Sequence, residues 1–181
     1  SWARSKWKHY DEPDYDDPDD IRINKKSGKW TDIDYGYKSS GLFRSAEQIE
    51  QLPYYYMEGT DKSSFLHEGD VILRNMNDDN ILNWRDQQEI GKGNMPNWTG
   101  GLNIDLYYKG FDFSMLWQGA FGFSHQVVLK RGLVFPEIMY DKRWTYENNN
   151  ANAIVPRLGG ASTNDWASDY RMIDGDYLRL K

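Results

Sequence analysis

The stretch Gly101–Phe123, GLNIDLYYKGFDFSMLWQGAFGF, decides the fold class, because it reads as two strands joined by the two-residue turn Lys109-Gly110. Leu102, Ile104, Leu106 and Tyr108 share one face of the first strand, and Phe111, Phe113, Met115 and Trp117 share one face of the second. The opposite faces carry Asn103, Asp105 and Tyr107, then Asp112, Ser114 and Gln118, with Leu116 the one clear break in the alternation. A soluble sandwich has the same period, so the period alone does not decide. Length and aromatic placement say more: roughly nine to eleven residues cross a bilayer as a tilted strand, and aromatic girdles mark its interfaces. Tyr107, Tyr108, Phe111 and Phe113 gather around the turn, while Trp98, Trp117 and Phe121 sit toward the far ends. The expectation is a membrane hairpin over 98–123 within an all-β, antiparallel transmembrane barrel that has long extracellular loops and one short loop helix.

Working outward, the rest of the chain agrees with strands rather than helices as the membrane-crossing element. Mean hydropathy is -0.86 over 181 residues that include 13 Tyr, 8 Trp and 7 Phe, too aromatic for disorder and too polar for helical spans. With no cysteine, a disulfide scaffold and thiolate metal sites are excluded. The net charge of -6 belongs to one segment, DEPDYDDPDD at 11–20, which holds seven carboxylates and reads as a solvated, proline-broken turn. Taking those seven from the 28 acidic residues leaves 21 against 22 basic ones, so there is no basic stripe to suit nucleic acid. The opening SWARSKWKHY lacks a basic and apolar leader, and DYLRLK at the other end reads as mid-strand, so the chain reads as an internal stretch of a longer protein.

Lys26-Ser27-Gly28 within IRINKKSGKW predicts a short hairpin, and Ser45 with Gln48 predicts a capping box opening a helix from Ala46 to about Leu52, with Leu42 and Phe43 stapled against Ile49. A strand is expected from Asp70 to Met76, loop from Asn77 to Gly93, and another strand from Met172 onward. If Lys109-Gly110 is a periplasmic turn, the chain direction assigns 8–97 and 124–170 to extracellular loop regions.

Asn75 to Asp86, NMNDDNILNWRD, imitates a calcium loop: oxygen ligands fall at Asn75, Asn77, Asp79 and Asp86, with the Ile81 carbonyl at position 7. The imitation is imperfect, with Asn at positions 1 and 6 and the shorter Asp at 12, so calcium is an optional ligand and no cofactor is required. His9, His67 and His125 have no zinc spacing. There is no nucleophile elbow, P-loop or acid/base carboxylate pair in the local sequence, so no enzyme activity is expected. Loop aromatics Trp30, Tyr54 to Tyr56, Trp84, Trp144 and Trp166 serve either as packing or as sugar platforms, with packing the default.

Six segments taken together resemble the C-terminal barrel region of SusC/RagA-type TonB-dependent outer-membrane transporters: GYKSSGLFRSAEQI at 36–49, GDVILRNMNDDNILNWRDQQEIG at 69–91, NWTGGLNIDLYYKGFDFSMLWQGAFG at 97–122, RWTYEN at 143–148, PRL at 156–158 and DGDYLRLK at 174–181. The resemblance implies a 22-stranded barrel with an N-terminal plug, energised through TonB and importing oligosaccharides or peptides beneath a SusD-like lipoprotein. It treats 1–181 as a partial barrel domain in the bacterial outer membrane, in contact with lipid. It also implies that Asn103, Asp105, Tyr107, Asp112, Ser114 and Gln118 face the lumen. The calcium-like loop departs from the family, which tends to carry Asp-x-Asn-Gly-Asp-Gly there. The rival reading is a soluble, calcium-assisted carbohydrate-binding β-sandwich, which would need a second sheet over Leu102, Ile104, Phe113 and Trp117.

Overall fold

The structure, a computed structural model, describes residues 1–56, 66–127, 137–148, 153–158 and 167–181. In chain order the elements are α1 (Pro18–Ile23), β1 (Asp34–Gly36), β2 (Ser39–Leu42), α2 (Ala46–Glu50), β3 (Val71–Leu73), β4 (Gln88–Ile90), β5 (Trp98–Tyr108), β6 (Phe111–Phe121), β7 (Ser124–Gln126), α3 (Glu137–Asp141), β8 (Met172–Asp174) and β9 (Tyr177–Leu180). Short 3₁₀ turns occupy Trp84–Asp86 and Asp169–Arg171. Strands predominate over three short helices, as an all-β chain requires, and the strands form open sheets that do not close on themselves among the described residues. No described helix is long and apolar enough to cross a membrane, which has no bearing on crossing by strands. The chain divides into two compact units.

The first unit comprises 1–34, 91–126 and 172–181. Its sheet has the order β5-β6-β9. β5 and β6 pair without interruption from Trp98 opposite Phe121 to Tyr108 opposite Phe111. The turn needs two left-handed residues, and Lys109 (φ 46°) and Gly110 (φ 87°) supply them, matching the turn to the twist of the strands. β9 lies antiparallel to β6, from Trp117 opposite Leu180 to Ala120 opposite Tyr177. Beyond β5, Trp2 bridges Trp98, the Thr99 N–H donates to the Ser1 carbonyl at 2.9 Å, and the Ala3 N–H donates to the Asn97 carbonyl at 3.0 Å. Four chain passes therefore lie side by side and antiparallel, of which only β5 and β6 follow one another directly in the chain.

The segment at 21–30 departs from the expected hairpin. Asp17 caps α1 by accepting from the Asp19 N–H at 2.8 Å, and Pro18 starts the helix with a preset φ, so Ile21 and Ile23 are helical. The turn near Gly28 pairs instead with the start of the chain: Gly28 donates to the Trp7 carbonyl at 2.7 Å and Trp7 to the Lys29 carbonyl at 2.8 Å. Glu12, in the acidic run, accepts the Lys26 and Ser27 N–H groups at 2.8 and 3.1 Å, which hold its carboxyl below its ordinary value. Part of that run is thus a structural clasp rather than free solvated turn.

The second unit comprises 35–90 and 127–171. It has two small apolar clusters. Leu42, Val71, Leu73, Leu82, Trp144 and Ala153 form one, flanked by Tyr37, Tyr54, Tyr56 and Tyr170. Phe43, Ile49, Leu52 and Leu66 form the other. Phe43 thus packs with Ile49 as expected, whereas Leu42 joins the first cluster. The capping box does not form: Ser45 makes no side-chain cap, Gln48 instead accepts from the Arg44 N–H at 2.7 Å, and Glu68 accepts from the Ala46 N–H at 3.0 Å. Strand structure after Asp70 is confined to Val71–Leu73, and the expected loop from Asn77 to Gly93 contains β4.

Asp70 has no exposed surface, and its oxygens accept from Arg157 Nε at 2.7 Å and the His67 N–H at 2.9 Å. Burial pushes this carboxyl up, against the downward pull of Arg157 and of the His67 N–H. Beside it Trp144 lies flat on Gly69, where a Cβ would come within 2.5 Å of the ring, and Gly69 also has φ 87°. Gly69→Ala should therefore cost about 2 to 4 kcal/mol locally through overpacking and backbone strain. Hydrogen exchange at the Trp144 amide, which bonds the Val155 carbonyl at 2.8 Å, should accelerate accordingly.

Candidate functional site

The β5-β6 register sorts the hairpin into two chemically distinct faces. On one, Leu102 stands opposite Trp117, Ile104 opposite Met115, Leu106 opposite Phe113 and Tyr108 opposite Phe111. Leu178 and Leu180 of β9 extend this face. It is bare: Leu102 is 57%, Phe113 53% and Leu178 61% exposed, so among the described residues it is no core. The cross-strand pair Gly100 and Gly119 leaves a shallow apolar notch beside Leu102, Trp117, Phe121 and Leu178. The Phe121 ring folds over Gly119, so that a Cβ there would lie 2.8 Å from it, and this covers backbone that no side chain of Gly119 can shield.

The other face brings together the six residues read as lumenal. Tyr107 pairs with Asp112, Asp105 with Ser114, and Gln118 lies between Gly101 and Arg179. The Ser114 hydroxyl and the Asn103 amide both donate to Asp105, at 2.6 and 2.5 Å, and Arg179 donates to Gln118 at 3.2 Å. Leu116, opposite Asn103, is the apolar exception on this face, as in the sequence pattern. The result is a hydrogen-bonded polar ladder backed by an unbroken apolar sheet.

A clasp that sequence reasoning missed fixes the ends of these strands farthest from the Lys109-Gly110 turn. Asp176 accepts from the Gly122 and Phe123 N–H groups at 2.6 and 3.3 Å. The Lys92 ammonium bridges Asp174 and Asp176 at 2.6 and 3.2 Å. Phe123 then lies on Gly175, where a Cβ would meet its ring at 2.5 Å. These residues are some 30 to 80 positions apart in sequence, and only the proximity of Asp174 and Asp176 to a strand start hinted at them.

The calcium-like loop is drawn together by its own hydrogen bonds. Asn75 Oδ1 accepts from the N–H groups of Asn77 and Asp78 at 3.2 and 2.7 Å, and Asn77 Oδ1 accepts from Asp79 N–H at 3.2 Å. Asp79 accepts from Ile81 N–H at 2.9 Å and from the amide nitrogens of Asn77 at 2.9 Å, Asn83 at 3.4 Å and Asn75 at 3.5 Å. Asp86, with no exposed surface, accepts from Met76 N–H at 2.7 Å and Asn83 N–H at 2.8 Å. Ile81 bridges Tyr55. No three His, Asp or Glu side chains among the described residues form a group able to hold a metal ion. Of the loop aromatics, Trp144 is buried, Tyr54 and Tyr56 pack against the core, Trp30 lies beneath Arg4, and Trp84 and Tyr55 are exposed; Trp166 lies outside the described residues.

No protein-family profile matches the chain. It is 26% identical over 150 residues to TonB-dependent receptor P3 of Formosa agariphila, a match that covers 81% of this chain and 14% of that protein's length. The chain is thus a distant relative of a TonB-dependent receptor and corresponds to a small part of it.

The clasp predicts a pH signature. Lys92 holds the Asp174 carboxyl below its ordinary value, and the two carboxylates hold Lys92 above its own. A depressed carboxyl stabilises the fold at neutral pH and loses that contribution as pH falls through its lowered value; a raised Lys loses its contribution as pH rises through its elevated one. Hydrogen exchange at Gly122 and Phe123, corrected for intrinsic rates, should therefore be slowest between those limits, and Asp176→Ala should speed it most within them.

Proposed function

We propose that this chain is part of the barrel wall of a SusC/RagA-type TonB-dependent transporter in the bacterial outer membrane. The single observation that carries the reading is the bare apolar face of a hairpin of two eleven-residue strands backed by a polar ladder. At about 3.3 Å per residue and a tilt near 45°, such strands rise roughly 25 Å, the height of the apolar band of an outer-membrane barrel. Trp2 and Trp98, with ring centroids 6.2 Å apart, and Phe121 mark one end of that band, and Tyr108 and Phe111 mark the other. The distant relationship to a TonB-dependent receptor supports the family.

On this reading Asn103, Asp105, Tyr107, Asp112, Ser114 and Gln118 face the lumen, Lys109-Gly110 is periplasmic, and the connections 8–97 and 124–170 are extracellular. The transporter draws on TonB, takes oligosaccharides or peptides as cargo and works with a SusD-like lipoprotein. This part of it carries no catalysis. A soluble sandwich is the weaker account, because its covering sheet is missing from the described residues over Leu102, Leu106 and Phe113.

Ile104→Arg, on the apolar face near mid-strand, should destabilise the intact protein in lipid vesicles by about 2 to 4 kcal/mol, whereas Asn103→Arg should be tolerated. Denaturant titration of the vesicle-inserted protein measures both. Equal costs at the two positions would remove the assigned faces and with them the membrane reading.

A further inference from the structure

The loop Asn75–Asp86 has the spacing of a calcium loop, yet its side chains are turned the wrong way to hold a cation. An asparagine has one acceptor oxygen and one donor nitrogen. In Asn75 and Asn77 the oxygen is taken by backbone N–H groups of the loop itself, at 2.7 to 3.2 Å. That fixes the amide, since the reverse orientation would set an NH₂ group against a backbone N–H. Asn83 is fixed in the same way, its oxygen accepting from Arg85 N–H at 2.8 Å. With the oxygens so committed, all three amide nitrogens point at Asp79.

The consequence follows from counting oxygens. An aspartate at loop positions 1 and 3 has two, one for the backbone N–H and one for a cation. An asparagine whose single oxygen has made the backbone bond has no second oxygen to turn toward a cation, and the other arm of its amide offers only donors. Asp86, at position 12, is committed as well: both oxygens bond backbone N–H groups, and the residue closes a capping box with Asn83. Only Asp79 retains charge at the centre, and it already accepts four donors. Asp78 (φ 57°) and Asn80 (φ 66°) keep the left-handed turns such a loop needs without glycine, which Asn and Asp tolerate best.

We infer that this loop is a cation-independent counterpart of a calcium loop, in which the amide groups of Asn75, Asn77 and Asn83 supply to Asp79 the positive partner that Ca²⁺ would otherwise supply. The donors lower the Asp79 carboxyl, with the Ile81 N–H acting most strongly, as a bound cation would. The loop therefore holds Leu82 in the core of its unit without a metal. This inference concerns the loop alone and stands apart from the direction in which the β-sheet faces.

The test is hydrogen exchange at the amides of Asn77, Asp78, Asp79 and Ile81 in the intact detergent-solubilised protein, with Ca²⁺ and then with chelator. The native protein should show the same protection in both. In the double variant Asn75→Asp, Asn77→Asp two of the three amide donors are gone and spare oxygens appear, so exchange should rise about tenfold in chelator and fall again on adding Ca²⁺. Native protein whose loop amides slow with Ca²⁺ would overturn the inference. So would a double variant whose exchange in chelator is unchanged, because the amides would then not be holding the loop. If the double variant does not fold, the comparison in the native protein decides by itself.

Discussion

The unbroken pairing of β5 with β6 is the constraint on which the first unit depends. Because strand side chains alternate, one register fixes the face of every residue between Trp98 and Phe121, and a slip of one position would invert all of them. The observed register stacks apolar residues on one side and a hydrogen-bonded polar ladder on the other. In water eight such side chains would each forgo about 1.5 to 3 kcal/mol of burial, an upper bound of about 12 to 24 kcal/mol. A surface of that kind requires an apolar partner, and hydrocarbon is the partner that an eleven-residue strand matches in length. The passes before β5 and after β6 continue the ladder on both sides at the end of the hairpin farthest from its turn, beside residues 97–99 and 117–120.

The second unit is held by different physics. Its apolar clusters are small, and much of its order comes from polar groups that bind the backbone: Asp70 on His67, Asp86 on Met76 and Asn83, and Asp169 on Ser39. Long irregular connections have backbone groups that no helix or sheet satisfies, so buried and half-buried carboxylates take that task. Asp70 shows what this entails, since burial opposes its charge and the Arg157 guanidinium offsets the cost; removing either partner would leave the other stranded.

The hairpin was legible because every signal it needs is local: a period of two, a turn with the right residues and aromatics at the ends. The helix at Pro18–Ile23 was equally local in Asp17-Pro18, yet the density of carboxylates around it drew the reading toward a solvated turn. Gln48 showed the limit of motif spacing, since its side chain satisfied an amide one residue earlier than the capping-box pattern requires. The packing of Trp144 on Gly69 and the pairing of Asp70 with Arg157 join positions more than seventy residues apart and leave no trace in local periodicity. In the calcium-like loop the spacing was legible, but the direction of three amides was not, because it depends on which backbone N–H groups the folded loop presents. The lumenal direction of the polar ladder is a further step that neither the spacing nor the register supplies.

The most direct test of the central claim uses the absence of cysteine from this chain. Spin labels placed singly at Leu102, Asn103, Ile104, Asp105, Leu106 and Tyr107 in the intact protein, reconstituted in lipid, report contact with oxygen dissolved in the bilayer and with a water-soluble nickel chelate. The account predicts strict alternation, with the even positions open to oxygen and shielded from the chelate and the odd positions the reverse. Uniform access of the chelate to all six would contradict a lipid-facing apolar surface and return the hairpin to the edge of a soluble sheet.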